Sequence, residues 1–137
     1  MTNPKSIVKH MLTHDTFSQW LGIRLEKIEL GFSQICMTVT GDMLNGFGIA
    51  HGGITYALAD SAFAFAANSQ GKHAISIETS ISHTKAVHEG DLLTAIAKEE
   101  NLSNRLGIYS ITVTNQHHEI VALFKGTVFR KDTHWSE

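Results

Sequence analysis

The run from Ile54 to Asn68, ITYALADSAFAFAAN, is rich in alanine and apolar almost throughout, yet it carries a carboxylate, Asp60, near its middle. Taking a carboxylate out of water is costly unless the group is paired, protonated or used. A hydrogen bond to neighbouring backbone, to Tyr56 or to Ser61 would account for Asp60 structurally, and catalysis is the alternative. Directly before the run stand His51, Gly52 and Gly53. The first amides of a helix have no intrahelical acceptor, and with the positive end of the macrodipole behind them they can stabilise an oxyanion. Glycine lets a carbonyl group approach that backbone closely. Together these residues could serve one reaction centre at a carbonyl carbon, with backbone amides to hold its oxygen.

Spacing adds a condition. Gly52 and Asp60 are eight residues apart, roughly 12 Å along a helix axis at 1.5 Å per residue. One chain cannot aim both groups at a single carbonyl carbon. If they serve one reaction centre, the amide comes from one subunit and the carboxylate from another, which a two-fold interface allows. The motif therefore predicts a homo-oligomer.

The elements that would hold these groups can be read from the period of the apolar residues. Ile7, Met11, Leu12 and Phe17 recur at helical intervals, with Thr13 and Asp15 as interrupting caps, so residues 1–20 form an N-terminal helical segment of one or two short helices. From Gly22 the period changes to two: Ile23, Leu25, Ile28 and Leu30, a turn at Gly31 and Phe32, then Ile35, Met37 and Val39. Residues 41–53, with five glycines, form a loop, and a buried helix runs from Ile54 to Asn68. After Gly71, the segments 73–84, 91–101, 106–116 and 119–130 have strand patterning. An antiparallel sheet needs a cover for its apolar face, and the alanine-rich helix is the one adequate candidate, so the class is α+β, a sheet wrapped over one long central helix. The chain of 137 residues, 42% apolar, fits a single domain spanning 1–137.

The segment NGFGIAHGGITYALADSAFAFAAN resembles the signature of hotdog-fold thioesterases, specifically the PaaI-type branch associated with phenylacetic acid degradation. The resemblance extends from Gly22 to Arg130. It implies hydrolysis of an acyl-coenzyme A thioester, with an aryl-acetyl or medium-chain acyl group, to free acid and coenzyme A. It implies that the Gly52 amide polarises the thioester carbonyl, while Asp60 of the neighbouring subunit attacks the carbonyl or activates a water. Asn45 would help place the carbonyl or the water, and His51 would support the turn. Aspartate at position 60 favours this branch over quinone-pathway thioesterases, which usually have glutamate there. The expected assembly is a dimer, or a tetramer made of two dimers. No cofactor is implied, since coenzyme A enters as part of the substrate.

Around this centre, Gly53 of the turn is a candidate for substrate binding, Phe47, Tyr56 and Phe63 for acyl contact, and Lys85, Arg105, Arg130 and Lys131 for the coenzyme's phosphates. Two other functions fit the same fold: a non-catalytic acyl-coenzyme A sensor, and a hydratase or dehydratase, which would use a histidine with an acidic residue. The retained Asp60 weighs against the first, and the absence of a histidine within the helix against the second.

Eleven basic and thirteen acidic residues give a formal charge of -2, without the positive field of a nucleic-acid binder. His10 and His14 share a helix face at i, i+4, but no further ligand completes a set, so no metal is expected. Cys36 is the single cysteine, which suits a reducing, cytoplasmic setting, and no run is long enough for a signal peptide's core or a membrane span.

Overall fold

Asn3 accepts a hydrogen bond from the Ser6 amide at 2.9 Å while Ser6 Oγ takes the Asn3 amide, and this capping box, with Pro4 at the first helical position, starts helix α1, Pro4–His14. Asp15 ends α1 and caps α2, Thr16–Trp20, by accepting from the Ser18 amide. The computed structural model describes residues 3–136. Six strands follow: β1, Arg24–Glu29; β2, Phe32–Thr38; and, after the long helix α3, Gly52–Asn68, β3, Lys72–His83; β4, Leu92–Leu102; β5, Leu106–Thr114; and β6, Ile120–His134. They form one antiparallel sheet in the order β1-β2-β4-β5-β6-β3.

Alternation sends Ile35, Met37, Leu93, Ala95, Ile111 and Val113 to one face, where they are buried against α3. The small side chains of α3 let the sheet close over the helix. Contact is tightest at Gly126, where an added Cβ would lie 2.5 Å from the ring of Phe63. Glycine is required there because the Phe63 ring itself is fully enclosed.

The sheet order leaves β3 on an edge, although it follows α3 directly in the chain. Helix and strand run side by side in opposite directions: Asn68 accepts from the Ala74 amide at 2.9 Å, and Tyr56 Oη lies 2.5 Å from Thr79 Oγ1. Beyond β3 none of the described residues covers the helix. Gly53 is exposed there, and Tyr56, Ala57, Asp60 and Ala64 are only half-buried. The helix is buried under the sheet as expected, and one stripe of it stays open because the sheet ends at β3. Ile75 and Ile77 on the same edge strand are 49% and 56% exposed.

Two boundaries also differ. The helix begins at Gly52, two residues before Ile54, because a side-chain cap at His51 holds the glycines in its first turn. The last strand passes Arg130 to His134, and Trp135 then pins the chain by donating from its indole to Asn68 Oδ1 and from its amide to the Gly71 carbonyl, both at 2.9 Å. Among the described residues no helix is long and apolar enough to cross a membrane.

Candidate active site

The loop of residues 45–51 delivers the chain to the start of α3. The Asn45 amide donates to the Ile49 carbonyl at 2.7 Å and Asn45 Oδ1 accepts from the Phe47 amide at 2.9 Å, which folds the loop back on itself. The Ala50 amide then donates to the Val87 carbonyl at 2.8 Å and the His51 amide to that of Met43 at 2.9 Å, so the helix start is tied to two neighbouring segments. His51 has extended backbone angles, and its Nδ1 accepts from the Gly53 amide at 2.8 Å. An imidazole that accepts at Nδ1 carries its proton on Nε2 when neutral.

This cap separates the two glycines. The Gly53 amide is occupied by His51, while the Gly52 amide has no acceptor among the described residues. The free donor opens onto a cleft of about 390 Å³ that Asn45, Thr55, His83 and Lys85 also line. Four positions of the sequence motif, Asn45, His51, Gly52 and Gly53, are thus brought together at one end of α3, with His51 in a supporting role.

Asp60 sits elsewhere. It lies on the uncovered stripe of α3, two turns along the helix, half-buried. Neither neighbour that would account for it structurally is available: Tyr56 is engaged with Thr79, and Ser61 Oγ lies 2.9 Å from Ser18 Oγ of α2. With no hydrogen-bond partner among the described residues, burial pushes the Asp60 carboxyl above the usual carboxylate range. The free amide stands at the start of α3 beside the end of β3 and the carboxylate on the uncovered stripe two turns on, so the two do not meet within one subunit.

The remaining candidates divide. Lys85 lines the cleft and pairs with Glu119 at 3.1 Å. Arg105 makes a two-pronged pair with Asp132, at 2.8 and 3.1 Å, and Arg130 donates to the Ser103 carbonyl at 2.5 Å. Arg130 stands opposite Ala74, at the far end of β3 from His83, roughly 30 Å away at 3.3 Å per residue. Within one subunit Arg105 and Arg130 therefore do not join Lys85 at the cleft. Lys131 is exposed on β6 next to them.

Phe63 is 1% exposed and packs against Tyr109 and Phe124 with ring centroids 5.8 Å from each, so it is a core residue and not a pocket wall. Tyr56 lies edge-on to Phe124 on the uncovered stripe, and Phe47 projects from the loop, 90% exposed. The apolar surface near Gly53 comes instead from residues outside the acyl-contact candidates. Phe17 and Trp20 of α2, with Met43, Leu44 and Ile54, line a second cleft of about 340 Å³ that reaches His51 and Gly53. Trp20 is 73% exposed. Its signal in the sequence is two large aromatics three residues apart in a helix too short to stand alone. His83 was missed as well, although alternation from Thr79 and Ile81 turns it towards α3.

Residues 47–122 match the family model described as the thioesterase superfamily. The chain belongs to the thioesterase superfamily. It is similar to the acyl-coenzyme A thioesterase PaaI of Escherichia coli K12, 40% identical over 120 residues that cover 88% of this chain and 86% of that protein. The solved structure of E. coli PaaI, a protein of the phenylacetic acid degradation operon, superimposes with a TM-score of 0.95 over 97% of this chain and 96% of that one. The phenylacetic acid degradation protein PaaI of Thermus thermophilus, in a mutant form, is 38% identical, with a TM-score of 0.83 over 85% of this chain and all of that one. A Streptococcus mutans UA159 protein whose structure was solved bound to acetyl CoA is 26% identical, with a TM-score of 0.80 over 82% and 91% of the two chains. The fold is the hotdog fold of a PaaI-type thioesterase, as the sequence resemblance implied. In this thioesterase the matched segment includes the whole of α3, and so both Gly52 and Asp60.

Proposed function

We propose that this thioesterase hydrolyses acyl-coenzyme A at a site shared between two subunits, with Gly52 of one and Asp60 of the other. The observation that carries this is an uncapped Gly52 amide at the start of α3 together with an unpartnered, half-buried Asp60 on the open stripe of the same helix. Pairing two copies along the edge strand β3 by a two-fold axis sets their α3 helices side by side in opposite directions. The point midway between Gly52 and Asp60 is Tyr56, which is bonded to Thr79 of β3. An axis passing near Tyr56 and Thr79 therefore brings Gly52 of each subunit opposite the partner's Asp60. It also pairs the free edge of β3 and covers Ile77, which an isolated subunit leaves in water.

In this site the Gly52 amide, at the positive end of α3, receives the thioester oxygen as it gains negative charge. Asp60 either takes a proton from the water that attacks the carbonyl carbon, or attacks it directly to give an anhydride that water opens. In both courses the carbon–sulfur bond breaks, the acid is released and the sulfur leaves as the coenzyme thiol. The cleft with Lys85 suits the polar coenzyme arm, and the cleft with Phe17 and Trp20 suits an aryl-acetyl or medium-chain acyl group. PaaI of E. coli is named for this activity, and the S. mutans relative was solved with acetyl CoA bound, which supports the substrate class.

The test is thiol release from a panel of acyl-coenzyme A esters, from acetyl through medium-chain to aryl-acetyl, by wild type and Asp60→Asn. Turnover in the wild type that falls by orders of magnitude in the variant is the expected result. Equal rates in the two proteins would remove Asp60 from the mechanism. Tight binding without turnover in the wild type would make the protein a sensor.

A further inference from the structure

His83 is the last residue of β3, and Thr79 fixes the direction in which it points. Thr79 reaches α3 through Tyr56, and side chains on a strand alternate, so Ile81 and His83 face the helix too. The imidazole arrives at the helix start. A Cβ built on Gly52 would lie 3.2 Å from His83 Nε2 and 3.4 Å from Cε1, so the ring edge borders the space that a side chain at position 52 would fill. The same cleft holds the Gly52 backbone, His83, Asn45 and Lys85.

We infer that His83 is a second hydrogen-bond donor to the thioester oxygen held by the Gly52 amide, and so completes the oxyanion site from within the same subunit. This rests on the function proposed above for Gly52. In standard covalent geometry the Cβ position of a residue lies about 2.5 Å from its own nitrogen. An oxygen about 2.9 Å from the Gly52 nitrogen, on the cleft side of the helix start, therefore lies in the same cleft that His83 Nε2 borders. Imidazole with its proton on Nε2 supplies the N–H. The Gly53 amide, which would otherwise be the natural second donor at a helix N-terminus, is already held by His51. A lone backbone amide would leave the developing charge with one partner, and His83 Nε2 borders the space beside it.

The experiment compares wild type, His83→Phe, His83→Gln and Asp60→Asn in thiol release from whichever acyl-coenzyme A ester the wild type turns over fastest, with a thermal melt of each. Phenylalanine keeps the bulk of the ring and removes the donor, whereas glutamine restores an N–H at similar reach. Because His83 is exposed at a strand end, both variants are expected to melt within a few degrees of wild type. His83→Phe should lower kcat about 10- to 100-fold with KM changed less than threefold, and His83→Gln should recover most of the loss. A kcat for His83→Phe equal to wild type, a loss confined to KM, or equal losses in both His83 variants would each overturn the role of His83. In any of those cases a collapsed rate in Asp60→Asn would leave the shared site standing. No turnover by the wild type on any ester would overturn both proposals.

Discussion

Asp60 shows how one residue's environment becomes a measurable property. Burial without a partner raises its carboxyl pKa in the folded protein above the unfolded value of about 3.9. Folding then disfavours the charged form. The stability linked to this group is fully present below the unfolded pKa and is lost as pH rises through the folded pKa. Asp60→Asn removes the charge, so the variant should melt above wild type at pH 7, with the difference shrinking to nothing below about pH 3.5 in melts across that range. In thiol release the same variant should lose about 10²- to 10⁴-fold in kcat. A gain in stability with a loss in activity is the signature of a group kept for chemistry. His51 has the opposite signature. Its ring caps α3, so His51→Ala should cost about 1 kcal/mol in urea unfolding, the loss of one N-cap. Both residues were visible in the sequence, Asp60 as a carboxylate in an apolar run and His51 as the residue before two glycines. Which glycine amide His51 would occupy was not visible, since that depends on where its ring turns.

At the scale of elements, α2 and β3 supply what the motif lacks. Helix α2 has five residues and is held by Asp15 as its cap and by the Ser18–Ser61 contact with α3. It places Phe17 and Trp20 beside Gly53. Trp20→Ala should therefore lower kcat/KM for aryl-acetyl esters by about 10-fold while leaving the acetyl ester within about twofold, since burying an aromatic contact of this kind is worth about 1–2 kcal/mol. A uniform loss across the panel would assign Trp20 to the scaffold. The sheet's grip on α3 can be tested at Gly126. A methyl group there meets the enclosed Phe63 ring, so Gly126→Ala should cost about 1–3 kcal/mol in urea unfolding through overpacking. The sequence places Phe63 inside the motif helix, but a spacing along a helix does not say which of its sides meets the sheet.

For the whole molecule, the open side of α3 and the free edge of β3 lie together, and both concern the second subunit. Two tests separate a shared site from a self-contained one. Ser80 is exposed on β3, next to Thr79 and so beside the proposed axis, and Cys36 is buried. Ser80→Cys should thus form a disulfide between subunits under mild oxidation, seen as a dimer on a non-reducing gel, because a residue near a two-fold axis meets its own copy. Mixing Asp60→Asn with Gly52→Val, each inactive alone, should restore about a quarter of wild-type activity after subunit exchange. Half of the dimers are then mixed, and one of the two sites in each is intact. No recovery would overturn the shared site. The sequence by itself determined the local matters: helix and strand periods, the glycine-rich turn before an alanine-rich helix, the carboxylate in it, and the roughly 12 Å that separates the two catalytic ends. Those follow from the rise and period of a chain, which spacing encodes. Tertiary structure decided which strand lies on the edge, which side of α3 stays open, that Phe63 belongs to the core, and that His83 and Trp20 reach the helix start. Each of these depends on contacts between residues far apart in the chain, and nothing in local periodicity records them.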